Sequence, residues 1–236
     1  MRWIAAAAVC VLGGCHDEGW LQYSWDDRRV LCSQSVDDLT QGSEWDTARD
    51  QLDIARENGT VALLHAHVPG ETVTVAGLEE FFTDVAAAGL DYVTYPELVP
   101  GERHAGVALA FDDQNIESWY GIRELMQTHD ARVTFFVSRF AGLSAEQRGL
   151  LAELAADGHA VEPHSVNHLN AETLIPMIGL DAYIAEEVLP SITILEDAGY
   201  HPTTFAYPFG RNSSAADEAI LKLVDKVRVS PGPCPY

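Results

Sequence analysis

The chain has 236 residues, enough for one barrel-sized α/β domain or two small ones, and its 47% hydrophobic and 21% charged content is that of a folded globular protein. Its 14 basic residues against 36 acidic ones leave a net charge of −22. Such a surface repels nucleic-acid phosphates and anionic headgroups, so neither is an expected ligand. No run of like charge is long enough to suggest a disordered acidic tail.

The amino terminus reads as a targeting segment. Met1-Arg2-Trp3 is a short positive region, and the apolar stretch Ile4 to Leu12 is too short to span a bilayer, which takes roughly 20 residues. It ends in Leu12-Gly13-Gly14-Cys15, similar to a bacterial lipobox. The expectation is a lipoprotein signal over 1–14, with Cys15 lipidated and anchored to a membrane of the cell envelope, inner or outer being left open. Residues 15–27 would be a tether, and 28–236 a single domain. An ordinary secretory signal with a chance cysteine is the alternative. Cys10 leaves with the signal, so Cys32 and Cys234 remain as an even pair in an oxidising compartment.

Strand and helix patterns then alternate along the chain. Arg29 to Ser33 reads as a strand. Trp45 to Glu57 has helical spacing and stops at Asn58-Gly59. A buried strand follows over Thr60 to His67, a helix over Val75 to Ala88 stopped by Gly89, and a strand over Asp91 to Tyr95. Pro96 to His104 is the most linker-like stretch. Strand Val107 to Phe111, helix Ile116 to Thr128, strand Arg132 to Val137, helix Ala145 to Ala156 and strand His159 to Glu162 come next. Helix Ala182 to Asp197, bent at Pro190, precedes strand Thr203 to Tyr207, helix Ala215 to Val224 and strand Lys226 to Val229. About eight strands in βα alternation predict parallel pairing, as a closed barrel or an open sheet.

Two strand ends carry the chemistry. Val107-Ala-Leu-Ala-Phe-Asp-Asp113 is an apolar run that stops at two carboxylates, and His164-Ser-Val-Asn-His168 follows His159-Ala-Val-Glu-Pro163. Strands of α/β folds deliver polar side chains at their C-terminal ends. Two imidazoles and one carboxylate form a facial triad that leaves positions open on a divalent metal, and the second carboxylate is free to act as a base. Taken singly, Asp-Asp at a strand end is often a helix cap, HxxxH is often coincidence, and His159 reads as a strand or turn histidine. Together they point to a metal-dependent hydrolase.

Three segments carry a resemblance. Ala110-Phe-Asp-Asp113, His164-Ser-Val-Asn-His168 and Phe205-Ala-Tyr-Pro-Phe-Gly210 are similar, in order and spacing, to motifs of the polysaccharide deacetylases, the NodB-homology or carbohydrate esterase 4 family. The resemblance implies an α/β fold, a distorted (β/α) barrel, in which a divalent metal, usually zinc, supports hydrolysis of N- or O-acetyl groups on glycans. Residue by residue it makes Asp112 the general base, Asp113, His164 and His168 the metal ligands, and the backbone amide of Phe209 an oxyanion donor. The chain departs from the family at Ala206, where an arginine that orients the base is common; Arg211 is the candidate substitute.

Only about 26 residues follow Gly210, too few for the closing strand that carries the family's acid histidine. Residues 28–98 resemble the family's C-terminal portion and 105–236 its N-terminal portion, so a circular permutation is expected, with a truncated barrel as the alternative. Permuted ends would meet near Cys32 and Cys234, where a disulfide would staple them. His65 and His67 share a parity on one strand. His67, nearer the strand end, is the expected acid, His65 the fallback, and Asp37 or Asp38 the group that charges it. Trp119 and Tyr120 are candidates for a sugar subsite. The expected ligand is an acetylated glycan. A non-catalytic glycan binder, or a same-fold hydrolase of other C–N bonds, is the alternative.

Overall fold

The computed structural model describes residues 18–41, 45–101 and 103–230. Cys10, Cys15 and Cys234 lie outside the described residues, and with them the lipidation expectation. Cys32 is disulfide-bonded.

The described residues form ten strands: β1 (Gln22–Tyr23), β2 (Val30–Cys32), β3 (Gln34–Ser35), β4 (Val61–Ala66), β5 (Asp91–Tyr92), β6 (Gly106–Asp113), β7 (Thr134–Val137), β8 (Ala160–Pro163), β9 (Thr204–Ala206) and β10 (Lys226–Val229). β2 and β3 are successive pieces of one extended stretch; the first pairs with β10 and the second with β4, both in parallel. From β4 the parallel ladders run on to β6, β7 and β8, and β9 pairs with β10. Spatial order of β2, β3, β4, β6, β7 and β8 therefore follows chain order around a ring, and the last strand, β10, returns to β2. β1 and β5 pair only with the opening residues of β4 and β6.

The ring has one seam. Among the described residues no ladder joins β8 to β9. Instead the buried Glu162 carboxylate on β8 accepts the backbone N–H groups of Thr203 (2.9 Å) and Thr204 (2.8 Å), substituting for two ladder bonds.

Strand alternation sorts the core into two shells. Ala62, Leu64 and Ala66 of β4 and Val107, Leu109 and Phe111 of β6 pack outward against the helices. Val61 and Leu63, and Ala108 and Ala110, pack inside the ring with Phe136, Tyr95 and Ala206. The same parity turns His65 and Asp112 inward.

Where local signals agree, the expected elements form. Val75–Ala88 is capped by Thr74, whose Oγ1 accepts the Gly77 N–H, and ends at Gly89 with φ of 68°. Ala145–Ala156 opens with a Ser144/Gln147 capping box. Four expectations need correcting. The strand expected to reach Tyr95 stops at Tyr92, because Thr94 and Glu97 form a capping box and Pro96 opens a short 3-10 turn. Ile116 to Thr128 is two helical pieces divided at Ile122, just after Gly121. The helix expected over Ala182 to Asp197 contains a π turn, Ile184–Val188, immediately before Pro190, whose missing N–H and bulky ring disfavour an unbroken α-helix. The helix Ala171–Ile178, capped by Asn170, was not expected; Pro176 interrupts its pattern.

Candidate active site

At the C-terminal ends of the parallel strands lies a cleft of about 590 Å3 whose lining includes His65, His67, Asp112, His164, Phe209 and Arg211. Alternation brings Asp112 into it from β6, whereas the next side chain would normally point away. Asp113 turns in because its backbone is left-handed, with φ of 88°. Ser165, His168 and Phe209, also left-handed at 66°, 58° and 60°, crowd the same rim. Such conformations persist where the surroundings over-determine them.

Asp113, His164 and His168 offer three ligand atoms within 4.8 Å of one another. Asp113 Oδ1 is 2.9 Å from His168 Nε2 and 3.7 Å from His164 Nε2, yet it is buried without a hydrogen-bond partner. His164 Nδ1 lies 2.8 Å from the Ala206 carbonyl. A carbonyl only accepts, so Nδ1 carries the proton and the Nε2 lone pair faces Asp113. Burial lowers the His164 pKa to about 4, keeping the ring neutral. Two imidazoles and an unpaired carboxylate oxygen fit a divalent cation.

Asp112 is 3% exposed. Burial works to raise its pKa, but the Arg228 guanidinium and nearby histidines outweigh that and hold it far below the ordinary range. Arg228 Nη2 donates to Asp112 Oδ2 at 2.5 Å, and Asp112 Oδ1 has no partner. Arg228 is fully buried inside the ring, its guanidinium 5.0 Å from the Phe136 ring centre. This residue escaped the sequence reading. In the register of β9 and β10, Arg228 stands directly beside Ala206. The arginine absent from position 206 thus has a counterpart one strand over. Arg211 is corrected accordingly: it lies at the rim, 4.0 Å from Glu172. A signal did exist, since in Lys226-Val-Arg-Val229 the valines pack outward and Arg228 must face in.

Facing this group is His67, whose Nδ1 is 2.5 Å from Asp37 Oδ2. Asp37 Oδ1 also accepts the His67 N–H and the Thr72 hydroxyl, and Oδ2 accepts the Ser35 hydroxyl. Burial disfavours the charged ring, but the Asp37 bond, with Asp112 and Asp113 nearby, raises the His67 pKa to about 9. Burial would raise the Asp37 carboxyl, and its bonds to His67 and Thr72 hold it low instead. Asp38, the other candidate, does different work: its carboxylate accepts from Thr74 N, Thr74 Oγ1 and Trp45 Nε1, tying two helix starts together.

His65 also faces inward, but burial and the neighbouring Arg228 depress its pKa to about 3. Its Nδ1 is 2.9 Å from Ser33 Oγ. A ring held neutral is a poor proton donor, so the geometry favours His67. His159 is structural, its Nδ1 accepting the Val133 N–H. Trp119 is wholly buried, stacked on Phe135, with Nε1 donating to the His67 carbonyl. Tyr120 bonds Glu153 on the outer surface. Neither lines the cleft. Phe209 does: it is 60% exposed, its ring centre 4.7 Å from that of His168. Among the described residues it is the one Phe, Tyr or Trp that is more exposed than buried. Gly210 beside it has no room for a Cβ, which would fall 2.3 Å from Ser230 Cβ.

A sequence profile described as polysaccharide deacetylase matches residues 101–226. No curated protein sequence matches the chain. Among solved structures, it is similar to the polysaccharide deacetylase BA0330 of Bacillus anthracis at 18% identity and a TM-score of 0.57. That match covers 72% of this chain and 57% of the other, so the chain spans little more than half the length of that relative. A de-N-acetylase of Aggregatibacter actinomycetemcomitans is 13% identical with a TM-score of 0.54, over 71% of this chain and 84% of its own. IcaB of Ammonifex degensii is 18% identical with a TM-score of 0.50, over 88% of each chain. At such identities the likeness is one of fold. The profile spans more than half the chain and contains Asp112, Asp113, His164 and His168, and on that ground the chain belongs to the polysaccharide deacetylase family.

Proposed function

We propose that the chain is a metal-dependent hydrolase that removes acetyl groups from a glycan outside the cytoplasm. One observation carries the reading: Asp112 braced by Arg228, His164 of the three-ligand set and His67 of the dyad with Asp37 all line a single cleft. Asp113, His164 and His168 would hold the metal, zinc in this reading. When bound, it supplies Lewis acidity, polarising the acetyl carbonyl and acidifying water.

The chain's own residues do the rest. Asp112, ionised and oriented by Arg228, presents its unpartnered Oδ1 to take the proton of the attacking water. The Phe209 amide is positioned at the rim to donate to the oxyanion that develops on the acetyl oxygen. His67, kept protonated by Asp37, delivers a proton to the leaving amine or alcohol as the C–N or C–O bond breaks. The solvent-facing Phe209 ring favours a glycan, since an exposed aromatic at a cleft mouth covers the apolar face of a sugar ring. With Arg228 beside Asp112, the missing arginine at position 206 no longer argues for a non-catalytic binder.

The profile begins at residue 101, yet His67 and Asp37 come from upstream strands of the same ring. This supports a circular permutation in one domain, since β2 pairs with β10 and the ring order survives any choice of ends. That domain starts before residue 28: β1 pairs with β4, and Tyr23 and Trp25 are buried in the core, so residues 22–27 are part of the fold and not of a tether. The disulfide at Cys32 supports an oxidising compartment, and the Leu12 to Cys15 segment supports lipid attachment.

Acetate release from acetylated chito-oligosaccharides and acetylated xylan tests the function. The chain should release acetate from at least one class, and Asp112→Asn should lose about 10^2- to 10^4-fold in rate. Equal release by wild type and variant would refute the assignment of the base.

A further inference from the structure

His164 and His168 are separated by Ser165-Val166-Asn167, and the segment holds two left-handed residues, Ser165 and His168. A loop in that shape needs support from elsewhere. One bond is internal, His168 N–H to Ser165 Oγ at 3.0 Å. Arg139 donates its N–H to the Ser165 carbonyl at 3.4 Å and Nη2 to the Asn167 carbonyl at 3.3 Å. The shorter bonds from outside the segment all come from one residue. Glu187 Oε2 accepts the Asn167 N–H at 2.8 Å, Glu187 Oε1 accepts Asn167 Nδ2 at 2.6 Å, and the Glu187 carbonyl accepts the Val166 N–H at 3.0 Å.

Glu187 is a costly choice unless it has this task. It is 2% exposed, and it falls on the buried face formed by Tyr183, Val188, Ser191, Ile192 and Leu195, where an apolar residue would otherwise sit. A buried carboxylate is tolerated only when its oxygens are bonded. Both are, and both to Asn167. Glu187 also lies in the π turn Ile184–Val188, the local irregularity before Pro190. Such turns often accompany functional sites because they re-aim side chains.

We propose that Glu187 is the positioning residue of the metal loop: by gripping Val166 and Asn167 it fixes the separation and aim of the two histidine ligands. The inference rests on the metal-site reading above. It assigns Glu187 no contact with substrate.

The test is calorimetric titration of zinc into the metal-stripped full chain, with the melting temperature of each variant measured alongside. Glu187→Gln keeps the shape but turns an amide NH2 toward one of the two Asn167 donors. Its zinc Kd should weaken by about 10- to 100-fold, the usual effect of losing an outer partner of a ligand, and excess zinc should restore turnover. Asn167→Ala keeps the backbone bond and should lose less. The double variant should be less impaired than the two losses summed, since both changes act on one interaction. Ser191→Ala, on the same helix face but bonded to the Val188 carbonyl, should leave Kd unchanged whatever it does to the melting temperature. Zinc binding within twofold of wild type in both Glu187→Gln and Asn167→Ala would overturn the assignment while leaving the metal site intact. If Glu187→Gln does not fold, an unchanged Kd in Asn167→Ala overturns it alone. Absence of zinc binding by wild type would bring down the metal reading and this assignment with it.

Discussion

Asp112 and Arg228 form an ion pair with both partners almost wholly buried. Such a pair contributes little net stability over an apolar core, but removing one member strands the other. Arg228→Met should therefore cost about 3–5 kcal/mol in chemical denaturation. It should also let burial raise the Asp112 pKa, so that the acidic limb of activity moves to higher pH. An unshifted limb would show that Arg228 is not what keeps the base ionised. The acid has the opposite dependence. As the proposed acid, His67 must carry its proton, and its pKa is raised to about 9, so rates should fall as pH rises through that value. Asp37→Asn removes the bond that raises it, and the alkaline limb should move down. A fixed limb would make His67 a bystander. The paired motifs at Asp112-Asp113 and at His164 to His168 were legible because neighbouring residues carry the signal. Arg228 was not: its partner lies 116 positions away, and only the closed ring brings them together.

At the level of elements, the seam between β8 and β9 is the weak point. Burial pushes the Glu162 pKa up to about 8 while its carboxylate accepts two backbone N–H groups. An acid whose folded pKa is raised binds more protons folded than unfolded, so its contribution is most favourable at low pH and is lost as pH rises from about 4.5 toward 8. Glu162→Gln keeps an acceptor oxygen for both bonds without burying charge. The melting temperature of the variant relative to wild type should rise from pH 5 to pH 8, and a flat difference would contradict this role. Helices with caps at both ends, such as Val75–Ala88, were legible in sequence. The π turn and the Pro176 helix were not, because a proline erases the periodicity that reveals a helix while tertiary packing still holds it.

For the whole molecule, a ring closed by the pairing of β2 with β10 depends on holding those two chain segments together. β2 carries Cys32 in register with Val229 of β10, so the disulfide at Cys32 lies on the closing ladder. Cys32→Ser should lower stability by about 2–5 kcal/mol, measured by denaturant unfolding. Parallel βα alternation was legible along most of the chain. Closure was not, since it depends on a pairing nearly 200 residues apart and on a side-chain seam in place of a ladder.

The proposed deacetylase activity depends on a metal held by Asp113, His164 and His168. The most direct test is acetate release from an acetylated glycan by the intact chain, after chelation and again after zinc is restored, with His164→Ala in parallel. Activity should be lost on chelation, recovered with zinc, and absent in the variant at any zinc concentration that restores wild type. Undiminished release by the stripped chain, or by His164→Ala, would contradict it.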